Sequence, residues 1–271
     1  MENEKSLENI KIRITELDKE GYDLYLEAEK CFIEGCPLKT IQQFLDQALG
    51  CFDEERNLIL EIGQDPKDLA ESLSEVAAFC QSVDFGMRAK TCYINQLSIY
   101  SKLIEQRISA SENTEHMALT HGFLGDIFAQ EGESKTAIRH YNAKIELLTK
   151  LSNNENDTSY DLDIGNVFYQ MGMLQYGNNT STALNYLSMA LEQYEEHLPD
   201  NTKNPEFLSD MFFVVSKIIP LYDIVCNEKK VISTTLIAQD IIDASIKLME
   251  DDESNTIALP EQFKEFLESI D

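Results

Sequence analysis

The feature that most constrains this chain is a recurrence of apolar residues at spacings of three and four along nearly its whole length. Leu7, Ile10, Ile14 and Leu17 begin it; Ile41, Phe44, Leu45, Ala48 and Phe52 continue it. Such spacing places apolar side chains on one face of a helix. Only 11 glycines and 6 prolines punctuate 271 residues, too few for the many turns of a β fold. Strand-like alternation is absent as a competing pattern. The expected fold is therefore all-α.

Punctuation divides the helical pattern into pairs. One run covers residues 7 to 32 and ends at Gly35-Cys36-Pro37, and a second extends to Gly63. Helices are then expected at about 69–83, 89–108, 115–130, 134–151, 160–176, 181–197, 206–226 and 229–249. Polar loops are expected at Ser111–Thr114 and Pro199–Pro205. Asn153–Thr158 reads as a linker. Asp251–Thr256 reads as an acidic break before a short terminal helix, Pro260–Ile270. Pro220 is a candidate kink. The whole, 1–271, reads as one helical-repeat domain.

A period underlies the pairs. In each second helix a residue, its fourth neighbour and its seventh share a face: Ile41/Leu45/Ala48, Ala89/Tyr93/Gln96, Ala137/Tyr141/Lys144, Ala183/Leu187/Ala190 and Val231/Thr235/Ala238. Their first members lie 48, 48, 46 and 48 residues apart. A small residue opening the second helix lets two helices approach, and the larger one a turn later fills the groove between them.

The clearest unit is Leu124, Gly125, Phe128, Gly132, Ala137 and Tyr141. It resembles the tetratricopeptide repeat: Leu-Gly, an aromatic three residues on, a turn glycine, a small residue opening the second helix, and an aromatic four later. Lys144 stands where that family has a small residue. Met171, Gly172, Ala183, Leu187 and Ala190 form a second match, and Val76, Ala77, Cys80, Ala89 and Tyr93 a weaker one. The resemblance covers about residues 68–197. Its step is long against the common 34-residue repeat, as in an extended variant. It implies an α-solenoid of about five antiparallel helix pairs. A bundle similar to the 14-3-3 proteins would need a basic phosphate-gripping cluster, which these helices lack.

In tetratricopeptide proteins the first helix of each pair lines a concave groove. The resemblance therefore places Ser74, Ala78, Gln81 and Ser82, then Gly122, Asp126, Ala129 and Gln130, then Tyr169, Met173, Tyr176 and Gly177, along a peptide-binding surface. Ser74, Gln81, Gly122, Asp126, Gln130, Tyr169, Met173 and Tyr176 are the candidate site residues. The expected partner is another protein or peptide, basic or with apolar anchors. No Lys or Arg occupies these positions, so the clamp that grips a chaperone's C-terminal carboxylate is not expected.

The net charge of -27 opposes nucleic acid and anionic membranes. It also leaves an alternative, that the acidic surface mimics nucleic acid or neutralises a basic partner. Six cysteines without a C-x-x-C pair suggest no metal site and read as small core residues in a reducing compartment. The first twenty residues are charged, so no secretory leader is expected, and no apolar run is long enough to span a membrane. A cytoplasmic location follows as the expectation. Phosphate-loop, dinucleotide, H-E-x-x-H and nucleophile-elbow motifs are missing. Asp251-Asp252-Glu253 is similar to the aspartate-rich motif of helical prenyl-transferring enzymes but lacks its further Asp. His121 and Asp126 are close enough in sequence to approach each other, but a metal site needs a cluster, and His121 is expected to be an ordinary surface histidine. Neither a catalytic residue nor a cofactor or metal is expected; a helical enzyme of unrecognised type is the remaining alternative.

Overall fold

A computed structural model describes residues 2–63, 66–155 and 159–251. Among them are ten helices: α1 (Glu2–Ile33), α2 (Leu38–Ile62), α3 (Lys67–Ser82), α4 (Gly86–Glu105), α5 (Ala110–Gln130), α6 (Ser134–Glu155), α7 (Ser159–Gln175), α8 (Thr180–Asn201), α9 (Pro205–Ile224) and α10 (Glu228–Asp251). The all-α helix-pair architecture expected from periodicity is present. The chain divides into two compact units, Met1–Leu147 and Leu148–Asp271, with the division inside α6.

In the first unit α1 packs on α2, α3 on α4, and α4 in turn on α5. The core is the set of stripes read from the sequence. Ile41, Leu45, Ala48, Phe52 and Ile59 of α2 are buried, as are Leu69, Leu73, Val76, Ala77 and Cys80 of α3. Ile14, Tyr25 and Ala28 of α1, Ala89, Cys92, Tyr93 and Ile99 of α4, and Leu124 and Ile127 of α5 join them. Burial of each large side chain stabilises by about 1.5–3 kcal/mol before chain entropy is counted. In the second unit α7 packs on α8, α8 on α9, and α9 on α10. Ala183, Leu187 and Ala190, Met211, Phe212 and Val215, and Ala238, Ile241 and Ile242 form its core.

Glycines set how closely paired helices approach. A Cβ on Gly125 would lie 2.6 Å from Tyr141 Cδ1, and one on Gly172 would lie 2.6 Å from Leu187 Cγ. These are the glycine and large-residue positions of the repeat, so the signature is a packing lock between two helices. Gly132, at φ 80°, supplies the left-handed turn between α5 and α6.

Several expected boundaries shift. Ser111–Thr114 is not a loop but the first turn of α5. Asn113 and Thr114 are buried there because each side chain finds a local carbonyl: Asn113 Nδ2 donates to Ile108 O at 2.9 Å, and Thr114 Oγ1 to Ala110 O at 2.5 Å. The chain turns earlier, with Arg107 and Ser109 at positive φ. Pro199 does not end α8, which runs on to Asn201. A proline there removes the bond its N–H would make to the carbonyl four residues back, and the helix carries on only two residues beyond it. Asn204 then caps α9, accepting from Glu206 N and Phe207 N, and Pro205 opens the helix. Asn153–Glu155 belong to α6 rather than a linker, while residues 156–158 lie outside the described residues. The acidic break and terminal helix also lie outside them, except Asp251, which ends α10. Cys80 and Cys92 are core residues as expected, but Cys226 is exposed in the α9–α10 turn.

Candidate peptide groove between α3 and α5

The eight expected groove residues separate into three groups. Ser74, Gln81 and Gln130 line hollows formed between α3 and α5 of the first unit. Gly122 and Asp126 are instead engaged by α6. A Cβ on Gly122 would meet Lys144 Cδ and Nζ at 3.2 Å, and Asp126 Oδ1 accepts from Tyr141 Oη at 2.6 Å. Tyr169 of α7 and Tyr176 just beyond its end pack, partly buried, against the core of the second unit, and Met173 of α7 is half-buried. Burial, then Asp210, raises the Tyr169 hydroxyl above its ordinary range.

Two hollows lie along α3 and α5. The first, of about 500 Å³, sits at the N-terminal ends of both helices; the second, of about 290 Å³, sits at their C-terminal ends. Helix α4 holds the α3 wall in place between them. Gln96, only 1% exposed, donates through Nε2 to Ala70 O at 2.8 Å and Ser74 Oγ at 2.5 Å. Tyr93 Oη donates to Gln81 Oε1 at 2.7 Å, and its ring stacks on Phe123 of α5 at 5.2 Å. Burial dominates the rise of the Tyr93 hydroxyl to about 12, so it stays a donor.

The first hollow is rich in acceptors. Glu71 and Glu75 line it from α3, Glu112 and Asn113 from α5, and Tyr100 from α4. Tyr100 is 6% exposed, its ring stacked on His116 at 5.4 Å, and its hydroxyl has no hydrogen-bond partner among the described residues. Burial first, then Glu71 and Glu112, push that hydroxyl up to about 12. Lys67 Nζ lies 3.3 Å from Glu112 and offsets one of the three carboxylates. Glu75 accepts from Tyr22 Oη of α1 at 2.9 Å.

The second hollow is lined by Gln81, Asp84 and Met87 on one side and Ile127, Gln130 and Glu131 on the other. Met87 is 70% exposed. Glu131 is held by Lys90, whose Nζ donates to both carboxylate oxygens at 2.8 and 2.7 Å while lying 5.0 Å over the Phe128 ring. Phe128 stacks on His140, and His140 Nδ1 is 3.0 Å from His121 Nδ1. Burial, then His140, pushes His121 down to about 4, and burial lowers His140, so the two rings pair as neutral imidazoles, one Nδ1–H donating to the other Nδ1. His121 thus pairs with His140, and Asp126 with Tyr141, rather than with each other.

Glu71, Tyr100, Glu112, Asn113 and His116 were not among the expected site residues. Their signal was present as two polar pairs four apart, Glu71/Glu75 and Glu112/His116. The second pair was hidden because Ser111–Thr114 read as a loop, which removed the first turn of α5 from the helical register. Among the described residues no three His, Cys, Asp or Glu gather in a way that could hold a metal ion. No helix among them is long and apolar enough to cross a membrane.

No protein-family profile matches the sequence, and no curated protein is significantly similar to it. Among solved structures the chain is similar to BtubC (BKLC) from P. vanneervenii, at 18% identity and a TM-score of 0.52, covering 87% of this chain and 91% of that one. It is also matched with a circular tandem repeat protein of novel repeat topology, at 12% identity and a TM-score of 0.39, over 92% of this chain and 62% of the other. A de novo designed helical repeat protein, DHR64, matches at 15% identity and a TM-score of 0.27, over 90% and 96% of the two chains. The BtubC likeness establishes a helical repeat fold.

Proposed function

We propose that this chain is a protein-interaction module of extended tetratricopeptide-like type, that it catalyses no reaction, and that it holds a peptide segment along the α3–α5 groove. One observation carries the reading. Ser74 and Gln81 of α3 and Gln130 of α5, picked out as groove positions, line two hollows at opposite ends of the same helix pair. The span from Glu71 to Asp84 along α3 is about 20 Å, the length of roughly six extended residues. Hydrogen-bonding side chains along the walls and the exposed Met87 suit an extended segment with one apolar anchor. The free thiols of all six cysteines fit a reducing compartment such as the cytoplasm.

A photo-crosslinking residue placed at Gln81 or Gln130 tests this in native lysate, with one at the exposed Lys229 as reference. The groove positions are expected to yield discrete, saturable adducts that an excess of unlabelled protein competes away. Equal, non-saturable labelling at all three positions would remove the reading. The net charge of -27 favours a second reading, in which the acidic surface as a whole neutralises a basic partner. Binding lost equally from any removal of surface carboxylates, wherever placed, would mark that reading instead.

A further inference from the structure

We infer that the hollow between Glu71, Tyr100 and Glu112 is a subsite for a single cationic side chain, an arginine or lysine of the segment held in the groove. This rests on the groove reading above and adds the partner's chemistry. Three features converge within one cavity of about 500 Å³. Charge comes first: Glu71, Glu75 and Glu112 border it, and Lys67 offsets one of them, Glu112. The second is the hydroxyl of Tyr100, in a side chain that is 6% exposed yet has no hydrogen-bond partner among the described residues. The third is Asn113, also 6% exposed. Its Nδ2 is spent on Ile108 O, which leaves the amide oxygen as an acceptor at the hollow.

Tyr100 is buried except where its hydroxyl opens on the hollow, so a bound group can complete that hydroxyl at the site. The three carboxylates and the Asn113 amide oxygen accept, so a donor suits them, and the Tyr100 oxygen can accept one bond beside them. A guanidinium offers five N–H donors in a planar fork, and an ammonium offers three. The His116 ring, stacked on Tyr100 and partly open, adds a flat face on which a guanidinium can lie. A carboxylate or phosphate would instead meet three negative groups. The same hollow therefore selects against an acidic segment as well as for a basic one.

Fluorescence anisotropy with labelled seven-residue peptides tests the subsite. The probes carry one central Arg, Lys, Gln or Glu in an otherwise identical Ala/Ser background and are titrated at low salt with the full chain. The Arg peptide is expected to bind at least tenfold more tightly than the Gln peptide, and the Glu peptide more weakly still. Tyr100→Phe, which keeps the ring, and Glu71→Gln should each weaken the Arg peptide about fivefold while leaving the Gln peptide unchanged. Glu105→Gln, exposed on α4 outside the hollow, should alter neither; circular dichroism confirms each variant's fold. Equal binding of Arg and Gln peptides overturns the subsite. So does a Glu105→Gln loss as large as that of Glu71→Gln, because it makes the preference one of net charge. If either occurs while the crosslinks at Gln81 and Gln130 persist, the groove stands and the cationic subsite falls.

Discussion

At the scale of single residues, Gly125 and Glu55 show how position overrides type. Glycine inside a helix ordinarily costs about 0.5–1 kcal/mol relative to alanine. Gly50 in α2 meets nothing within 4 Å of where a Cβ would stand, so Gly50→Ala is expected to stabilise by about that amount. Gly125→Ala instead drives a methyl into the Tyr141 ring and should destabilise by about 1–3 kcal/mol. Urea denaturation of the two variants should move the midpoint in opposite directions; a shared direction would refute the packing lock. Glu55 is 3% exposed, and its Oε2 has no partner among the described residues. Burial, followed by the charges of Asp18 and Asp68, pushes its carboxyl up to about 8. The folded chain keeps that proton while the unfolded chain loses it near the ordinary value of 4.5. Stability from this group is thus complete below about pH 4.5 and is lost as pH rises through 8. Glu55→Gln should flatten the melting temperature between pH 5 and 9 and raise it most at pH 9. An unchanged pH profile would show that the carboxyl does not control it. The Gly125–Tyr141 lock was legible in sequence because both residues sit at repeat positions. The Glu55 anomaly was not, since one acidic residue among 49 acquires its burial only when three helices converge.

At the scale of elements, helix cores were readable and helix ends were less so. The three- and four-residue stripes of α2 and α3 match the buried residues because periodicity reports the face that packs. The start of α5 was missed for a physical reason. Its turn is made by Arg107 and Ser109 at positive φ, residue types that do not announce a left-handed conformation. Asn113 and Thr114 are polar, yet they are buried because they bond to nearby carbonyls. That one shift concealed half of the first hollow. The caps differ as well. The α9 N-terminus depends on Asn204, which accepts from two backbone amides at 3.1 and 3.3 Å, whereas Pro37 before α2 makes no side-chain cap. Asn204→Ala should lower stability by about 1 kcal/mol, measured by thermal or denaturant unfolding. No change on substitution would show those bonds to be replaced by water.

At the scale of the molecule, the charge of -27 sets the background against which every local interaction works. Arg88 grips Asp46 through two hydrogen bonds of 2.8 Å and Lys90 grips Glu131, but 22 basic residues cannot pair 49 acidic ones. Self-repulsion of the compact state is screened by salt, since the Debye length falls from about 30 Å at 0.01 M to about 8 Å at 0.15 M. The melting temperature should therefore rise between 10 mM and 300 mM sodium chloride. A fall would mean that ion pairs such as these outweigh the repulsion.

The locks between neighbouring helices have a kinetic consequence. Asp126 and Tyr141 are 15 residues apart, and even the longest-reaching side-chain bond between helices among the described residues, Tyr22 to Glu75, spans 53. Contact order is accordingly low, and chains of low contact order close their native loops quickly. Each helix hairpin can form as it leaves the ribosome, before the next has been synthesised, so apolar stripes spend little time uncovered during translation.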